Sequence, residues 1–295
     1  SEYHQCLGRA GWPKPGRRLL ATSSLGGIPL KYSFMSFSCP DLELSPMLAL
    51  ARRLGYDGVE PRIDSGHRHG IELDASPAAR KEARQLALDH GVALCCIATS
   101  CTYADPAKSG EAVELTRRAI DLAADVGSPR IRVFGGPIPG GVSRKAAIDQ
   151  VAHCLTTVAD YAQACGVTVC METHDDWCRP TDVAAVMRRV ERPAIAVNWD
   201  IMHPARTARV TIDDAFDALL PWIRHVHFHD GTIGSALDLR PMGRGEIDHR
   251  RAVHLLQGAE WDGYLSGEWI DWEPYDVHLP RELAAMKAYE AEANR

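Results

Sequence analysis

The chain has 295 residues, a formal net charge of −6, 45% hydrophobic and 24% charged residues. That is enough chain for one large core of ordinary globular composition. An acidic balance without a long basic stripe argues against a nucleic-acid partner, whose phosphates demand Lys and Arg, and no apolar run is long enough to span a bilayer. Nine scattered cysteines, several inside apolar runs (Cys95, Cys96, Cys170), read as reduced buried thiols without zinc-knuckle spacing. They point to a cytoplasmic protein.

Residues 1–27 are rich in Gly, Pro and basic residues, show no period and contain no secretory apolar core, so they read as an N-terminal arm. From Lys31 onward one pattern repeats: a short β-rich run, then a helical stretch of about three turns. Strand one is expected at Lys31–Phe37, with its helix at Leu44–Leu54 stopped by Gly55. Strand two is Gly58–Ile63, and its helix, Ser76–His90, has Ser76 as N-cap and Pro77 in the first turn. Strand three is Val92–Thr99, followed by a helix over Ser109–Val126. Strand four is Arg130–Phe134, then comes a Gly/Pro-rich loop, Gly135–Gly141, and a helix over Ser143–Cys165.

Strand five, Val167–Glu172, precedes a helix at Thr181–Val190. Strand six is Ile195–Asp200, with a helix at Ile212–Leu220. Strand seven is His225–His229, followed by a long loop, Gly231–Ile247, and a helix at Asp248–Gln257. Strand eight is Tyr264–Trp269, and a last helix starts near Pro280. Eight successive βα units imply a parallel sheet closed into a (β/α)8 TIM barrel, an α/β fold occupying residues 28–295 as one domain. No Gly-x-Gly-x-x-Gly follows strand one and no Gly-Lys-Ser/Thr loop exists, so neither a Rossmann cofactor site nor a P-loop is supported.

In such a barrel the active site lies at the C-terminal ends of the strands. Strand five ends in Glu172, with Thr173 and His174 next; strand six ends in Asp200, with His203 three residues on; strand seven carries His225, His227 and His229; strand eight ends in Glu268. Carboxylates converging on one rim repel one another unless a cation sits between them. Oxygen-rich donors with one imidazole suit a divalent metal, Mn²⁺ first, ahead of Mg²⁺, Co²⁺ or Zn²⁺. Apolar residues precede each candidate, which sets the site over a dry floor. The three histidines of strand seven share a face, and an extended strand cannot offer all three to one ion.

These segments together resemble the xylose isomerase-like barrel superfamily of sugar isomerases and epimerases. The resembling pieces are Leu54–Glu60, Glu172–His174, Asp200–His203, His225–Asp230, Met242–Asp248 and Trp261–Glu268. The resemblance spans residues 31–295 and implies that Glu172, Asp200, His227 and Glu268 are metal ligands, with His203 contacting substrate. The sequence departs from the superfamily at His229, where relatives carry Lys or Gly. The arginine that binds hydroxyls in ketose epimerases has no clear counterpart; Arg240 and Arg244 lie further on, and Arg244 is taken as the candidate substrate contact. The expected reaction is isomerisation or epimerisation of a small polyhydroxy carbonyl compound through an enediolate, with Glu172 and Glu268 as the base and acid. His174 and Glu60 are further candidates to orient substrate, and Trp199 to wall it.

Three other readings share these residues. A lyase would use the same enolate to eliminate water, as in inosose or dehydroshikimate dehydratases, or to cleave a 3-keto glycoside. An endonuclease IV-like phosphodiesterase would need a multi-metal cluster to which His67 and His69 could contribute. A non-catalytic binding protein would use the metal for stability alone. The residues leave open whether the chain works alone or as a homo-oligomer.

Overall fold

The computed structural model describes residues 28–234 and 237–293. The expected N-terminal arm, apart from Ile28 onward, lies outside these residues. The strands are β1 (Lys31–Met35), β2 (Gly58–Glu60), β3 (Ala93–Leu94), β4 (Ile97–Ala98), β5 (Arg130–Phe134), β6 (Thr168–Glu172), β7 (Ile195–Asp200), β8 (Ile223–Phe228), β9 (Asp230–Gly231), β10 (Leu239–Arg240) and β11 (Tyr264–Gly267). The helices are α1 (Leu44–Leu54), α2 (Pro77–His90), α3 (Ser109–Val126), α4 (Arg144–Cys165), α5 (Pro180–Val190), α6 (Met202–Ala208), α7 (Ile212–Leu219), α8 (His249–Gly258) and α9 (Tyr275–Ala293).

Nine of the strands form one parallel sheet in the order β3-β2-β1-β11-β8-β7-β6-β5-β4. Its two ends are halves of a single strand. The chain passes from β3, paired with β2, to β4, paired with β5, across Cys95 and Cys96 alone. Ala98 N–H also donates to Pro61 O at 2.9 Å, and Ala98 O accepts from Ile63 N–H at 3.0 Å. The sheet therefore closes, with helices outside, as a TIM barrel.

Local chemistry sets the boundaries. Gly55, Gly91, Gly127 and Gly166 end α1 to α4 in the left-handed region, at φ 87°, 62°, 82° and 70°. There a residue without Cβ adopts the conformation that frees the last carbonyls for capping. Ser76, Ser143, Thr211 and Asp248 each accept a backbone N–H in the first turn of the following helix. The apolar alternate residues of each strand (Val133, Met171, Val197, Trp199, Val226, Phe228) face the helices and are fully buried.

Three expectations change. Strand three is broken into β3 and β4. The short helix α6, only two turns long and without an apolar period, was not expected. The long loop after β8 contains a small antiparallel pair, β9 with β10. Among the described cysteines, Cys39, Cys95, Cys96, Cys101, Cys154, Cys170 and Cys178 are free and buried. No helix among the described residues is long and apolar enough to cross a membrane.

Candidate metal centre and active site

Strand alternation turns Arg132, Glu172, Asn198, Asp200, His225, His227 and, across the barrel, Glu60 inward. Ligand atoms of Glu172, Asp200, His227 and Glu268 all lie within 4.8 Å of one another. The first three residues are fully buried, and Glu268 is 7% exposed. His227 sits at the middle of the bowl. Its Nδ1 is 3.2 Å from Glu172 Oε1 and 3.2 Å from Glu268 Oε2. One imidazole nitrogen carries at most one proton, so it serves at most one of these carboxylates. Glu268 Oε2 in fact has no hydrogen-bond partner.

A buried anionic oxygen without a donor is costly, and spacings near 3 Å are those of neighbouring donors around an ion bonded at about 2.0–2.2 Å. Four buried carboxylates (Glu60, Glu172, Asp200, Glu268) surround this space, while one buried guanidinium, Arg132, pairs with Glu172 Oε2 at 3.0 Å. The residues present therefore fit a divalent cation. The set of three oxygens and one imidazole nitrogen suits a fairly hard ion.

The three histidines of β8 separate into layers. His225, below, pairs through Nε2 with Glu60 Oε2 at 2.7 Å. His229, above, pairs through Nε2 with Asp200 Oδ2 at 2.8 Å. His227 lies between them, with Nε2 3.2 Å from Glu60 and Nδ1 facing the bowl. Burial disfavours a proton on His227, but Glu60, Glu172 and Glu268 outweigh it and hold the imidazole well above its ordinary range. Burial likewise works against the charge on Glu268, and His227 overrides it, holding the carboxyl at about 2.

The rim is built next to this bowl. After β6 the chain turns sharply, with Asp175 at φ 50°, a conformation that non-glycine residues rarely adopt. The turn sets His174 Nδ1 2.8 Å from Asp175 Oδ1. Burial opposes protonation of His174, but the Asp175 hydrogen bond and Glu172 raise it to about 9. Asp200 Oδ1 accepts the backbone N–H of His203 at 2.8 Å, which ties the start of α6 to the bowl. The His203 ring then lies 4.5 Å from that of His174 and 5.4 Å from that of His229. Phe134 closes one side, 4.9 Å from His174. Gly135 has no side chain because the Trp177 ring packs where its Cβ would be, 2.3 Å away.

Some sequence expectations move. Glu60 is fully buried beneath His227, where it pairs with both His225 and His227. Trp199 lies between two inward residues of β7 and so points outward. It packs on Phe216 of α7, 5.9 Å between ring centroids, and walls nothing in the mouth. Arg244 sits exposed in a turn closed by its N–H to Pro241 O. The floor is not dry and apolar: Ser33, Glu60, Arg132, His225 and Ser266 are all buried there. His69 spends both ring nitrogens on backbone, at Arg62 O and Ile71 N, and His67 bonds Ser36 Oγ. Neither joins a cluster with metal-ligand geometry among the described residues. Arg132 was missed in the sequence, although a charged residue at the centre of an apolar strand (Arg-Ile-Arg-Val-Phe) was the available signal.

The family model described as xylose isomerase-like TIM barrel matches residues 48–290. A 3-dehydroshikimate dehydratase of Bacillus anthracis is 18% identical over 277 residues, which is 87% of this chain and 96% of that protein. Among solved structures, an L-ribulose 3-epimerase superposes with a TM-score of 0.75 at 18% identity, over 90% of this chain and 96% of its own. A 3-keto-D-glucoside 4-epimerase from E. coli gives 0.73 at 14% identity, over 88% and 100%. At these identities the structural likenesses carry the fold, and what each relative acts on belongs to that relative.

Proposed function

The chain belongs to the xylose isomerase-like TIM barrel family, and on that footing we propose that it is a divalent-metal-dependent isomerase or epimerase of a small polyhydroxy carbonyl compound. The observation that supports this most is the convergence of Glu172, Asp200, His227 and Glu268 on one buried space at the strand ends. A cation held by these four groups, Mn²⁺ as first choice, would supply a Lewis acid for a substrate carbonyl oxygen. The remaining chemistry falls to the chain's own side chains.

Glu172 and Glu268 stand on either side of the His227 Nδ1, from strands three positions apart. One removes the proton from the carbon beside the carbonyl. The other returns it, to the opposite face of that carbon (epimerisation) or to the neighbouring carbon (isomerisation). Arg132 holds one oxygen of Glu172 and so fixes which oxygen faces the substrate. His203 and His174 line the rim, where their ring nitrogens can bind substrate hydroxyls.

One observation favours a second reading, elimination of water from the same carbanion. A departing hydroxyl needs an acid, and His174, kept protonated by Asp175, is placed at the rim to be one. The full-length similarity to a dehydratase is compatible with it. Proton NMR in D₂O, with keto-sugars and inososes, separates the two. Deuterium entering a substrate of unchanged constitution supports isomerase or epimerase action, and loss of water supports the lyase. Absence of both across the panel contradicts either reading.

A further inference from the structure

Above the bowl, at the end of β2, stands Arg62. It follows β2 on the same face as Glu60, and two residues along a strand advance about 6.6–6.8 Å. Its side chain therefore belongs to the layer above Glu60, at the mouth. The backbone is clamped there from three sides. Arg62 N–H donates to Ser36 Oγ at 2.9 Å, its carbonyl accepts from His69 Nε2 at 3.1 Å, and the residue bridges to Ala98 of β4. His69 is itself fixed by the Ile71 N–H at 3.0 Å.

The guanidinium is half-buried and has no acidic partner within ion-pair distance among the described residues. Its terminal nitrogens go to Ile63 O, Ala98 O (3.5 Å) and Ser100 Oγ, which are neutral acceptors. By contrast, Arg132 is paired with Glu172 and Arg80 with Asp125. Five N–H donors are available on a guanidinium, so the fork still has donors to spend. Burial and the like charge of Arg132 pull Arg62 down to about 10, which leaves it charged at neutral pH. Glu268, a bowl residue, is close enough for its charge to be felt there.

We infer that Arg62 is the anchor for a carboxylate on the substrate, so that the compound turned over is an anionic keto-polyol rather than a neutral sugar. The planar fork matches one carboxylate in two parallel hydrogen bonds. A neutral hydroxyl in its place would leave the half-buried cation without a counter-charge. This assignment rests on the bowl being a proton-transfer site, and it names the substrate class of that site.

The test uses the metal-loaded full chain and two probes: 3-dehydroshikimate, a cyclic keto-polyol with a carboxylate, and 2-keto-myo-inositol, a cyclic keto-polyol without one. Turnover and solvent deuterium exchange are read for the parent, Arg62→Gln and Arg62→Lys. The parent should prefer the carboxylated probe. Arg62→Gln should raise KM for that probe by roughly tenfold to a hundredfold, the loss of a charge-assisted pair, with kcat nearly unchanged. Its KM for the neutral probe should not move, and Arg62→Lys should recover part of the loss. A parent that prefers the neutral probe, or an Arg62→Gln variant whose KM for the carboxylated probe is unchanged or rises equally for both probes, overturns the assignment while leaving proton transfer intact. A metal-loaded parent that exchanges deuterium into neither probe overturns both.

Discussion

At the scale of single residues, the account turns on which oxygen or nitrogen each buried group offers. Glu60 gives His225 and His227 a common anion from below, so the Nδ1 of His227 is the nitrogen left facing the bowl. Removing that charge by Glu60→Gln loosens the orientation of a ligand rather than the ligand itself. We expect metal affinity to fall about 10- to 100-fold, measured by competition with a coloured chelator, while Asp200→Asn abolishes binding. The pH dependence follows from the same contacts. Without metal, the three surrounding glutamates keep His227 protonated well above its usual range. An ion must displace that proton, so affinity weakens as pH falls, by about tenfold per unit while the metal-free histidine stays charged. Calorimetry in buffers of different ionisation heat should show one proton released per ion bound. The residues whose type carries chemistry were legible in the sequence because carboxylates ended successive strands. Trp199 was misplaced because residue type alone does not say which face a side chain occupies.

At the scale of elements, the loop after β8 shows how the mouth is framed. Asp230 accepts backbone N–H groups from Gly231 (2.8 Å), Gly243 (2.9 Å), Gly245 (3.0 Å) and Ile247 (3.3 Å). Gly245 packs so closely that an added Cβ would lie 2.1 Å from Asp230 Oδ1. Glu282 of α9 takes the next N–H, that of Met242, at 2.6 Å. Asp230→Ala leaves several buried donors unpaired, at a cost of about 1–3 kcal/mol for each one that water cannot reach. A lower urea midpoint with loss of turnover should result, and Gly245→Ala should reproduce it in milder form. Most element limits could be read from glycine stops and serine or aspartate caps, which act within a few residues. The break at Cys95 and Cys96 and the helix α6 could not. The first depends on how β2 and β5 meet across the barrel. The second is held by Asp200 Oδ1 rather than by any apolar period of its own.

At the scale of the whole molecule, closure of the sheet draws residues 60, 132, 172, 200, 227 and 268 into one buried space. Acidic groups are held together there against their repulsion, so an ion that binds only this folded arrangement stabilises it. At about 100 times its dissociation constant it contributes about 2.7 kcal/mol, or roughly 4–5 °C in Tm for a barrel of this size. Chelation should remove that increment and metal addition restore it, as followed by calorimetry. The closed barrel was legible in eight repeats of one pattern, whereas the pairings inside it, such as Glu60 with His225, were not, since a contact across a barrel leaves no local mark in the chain. The most direct test is metal content by mass spectrometry after dialysis against Mn²⁺, set beside deuterium exchange for the same samples. The account predicts one ion per chain in the parent, none in an Asp200→Asn/His227→Ala double variant, and exchange only where the ion is present. Full exchange by chelator-stripped protein, or an ion retained by the double variant, would contradict it.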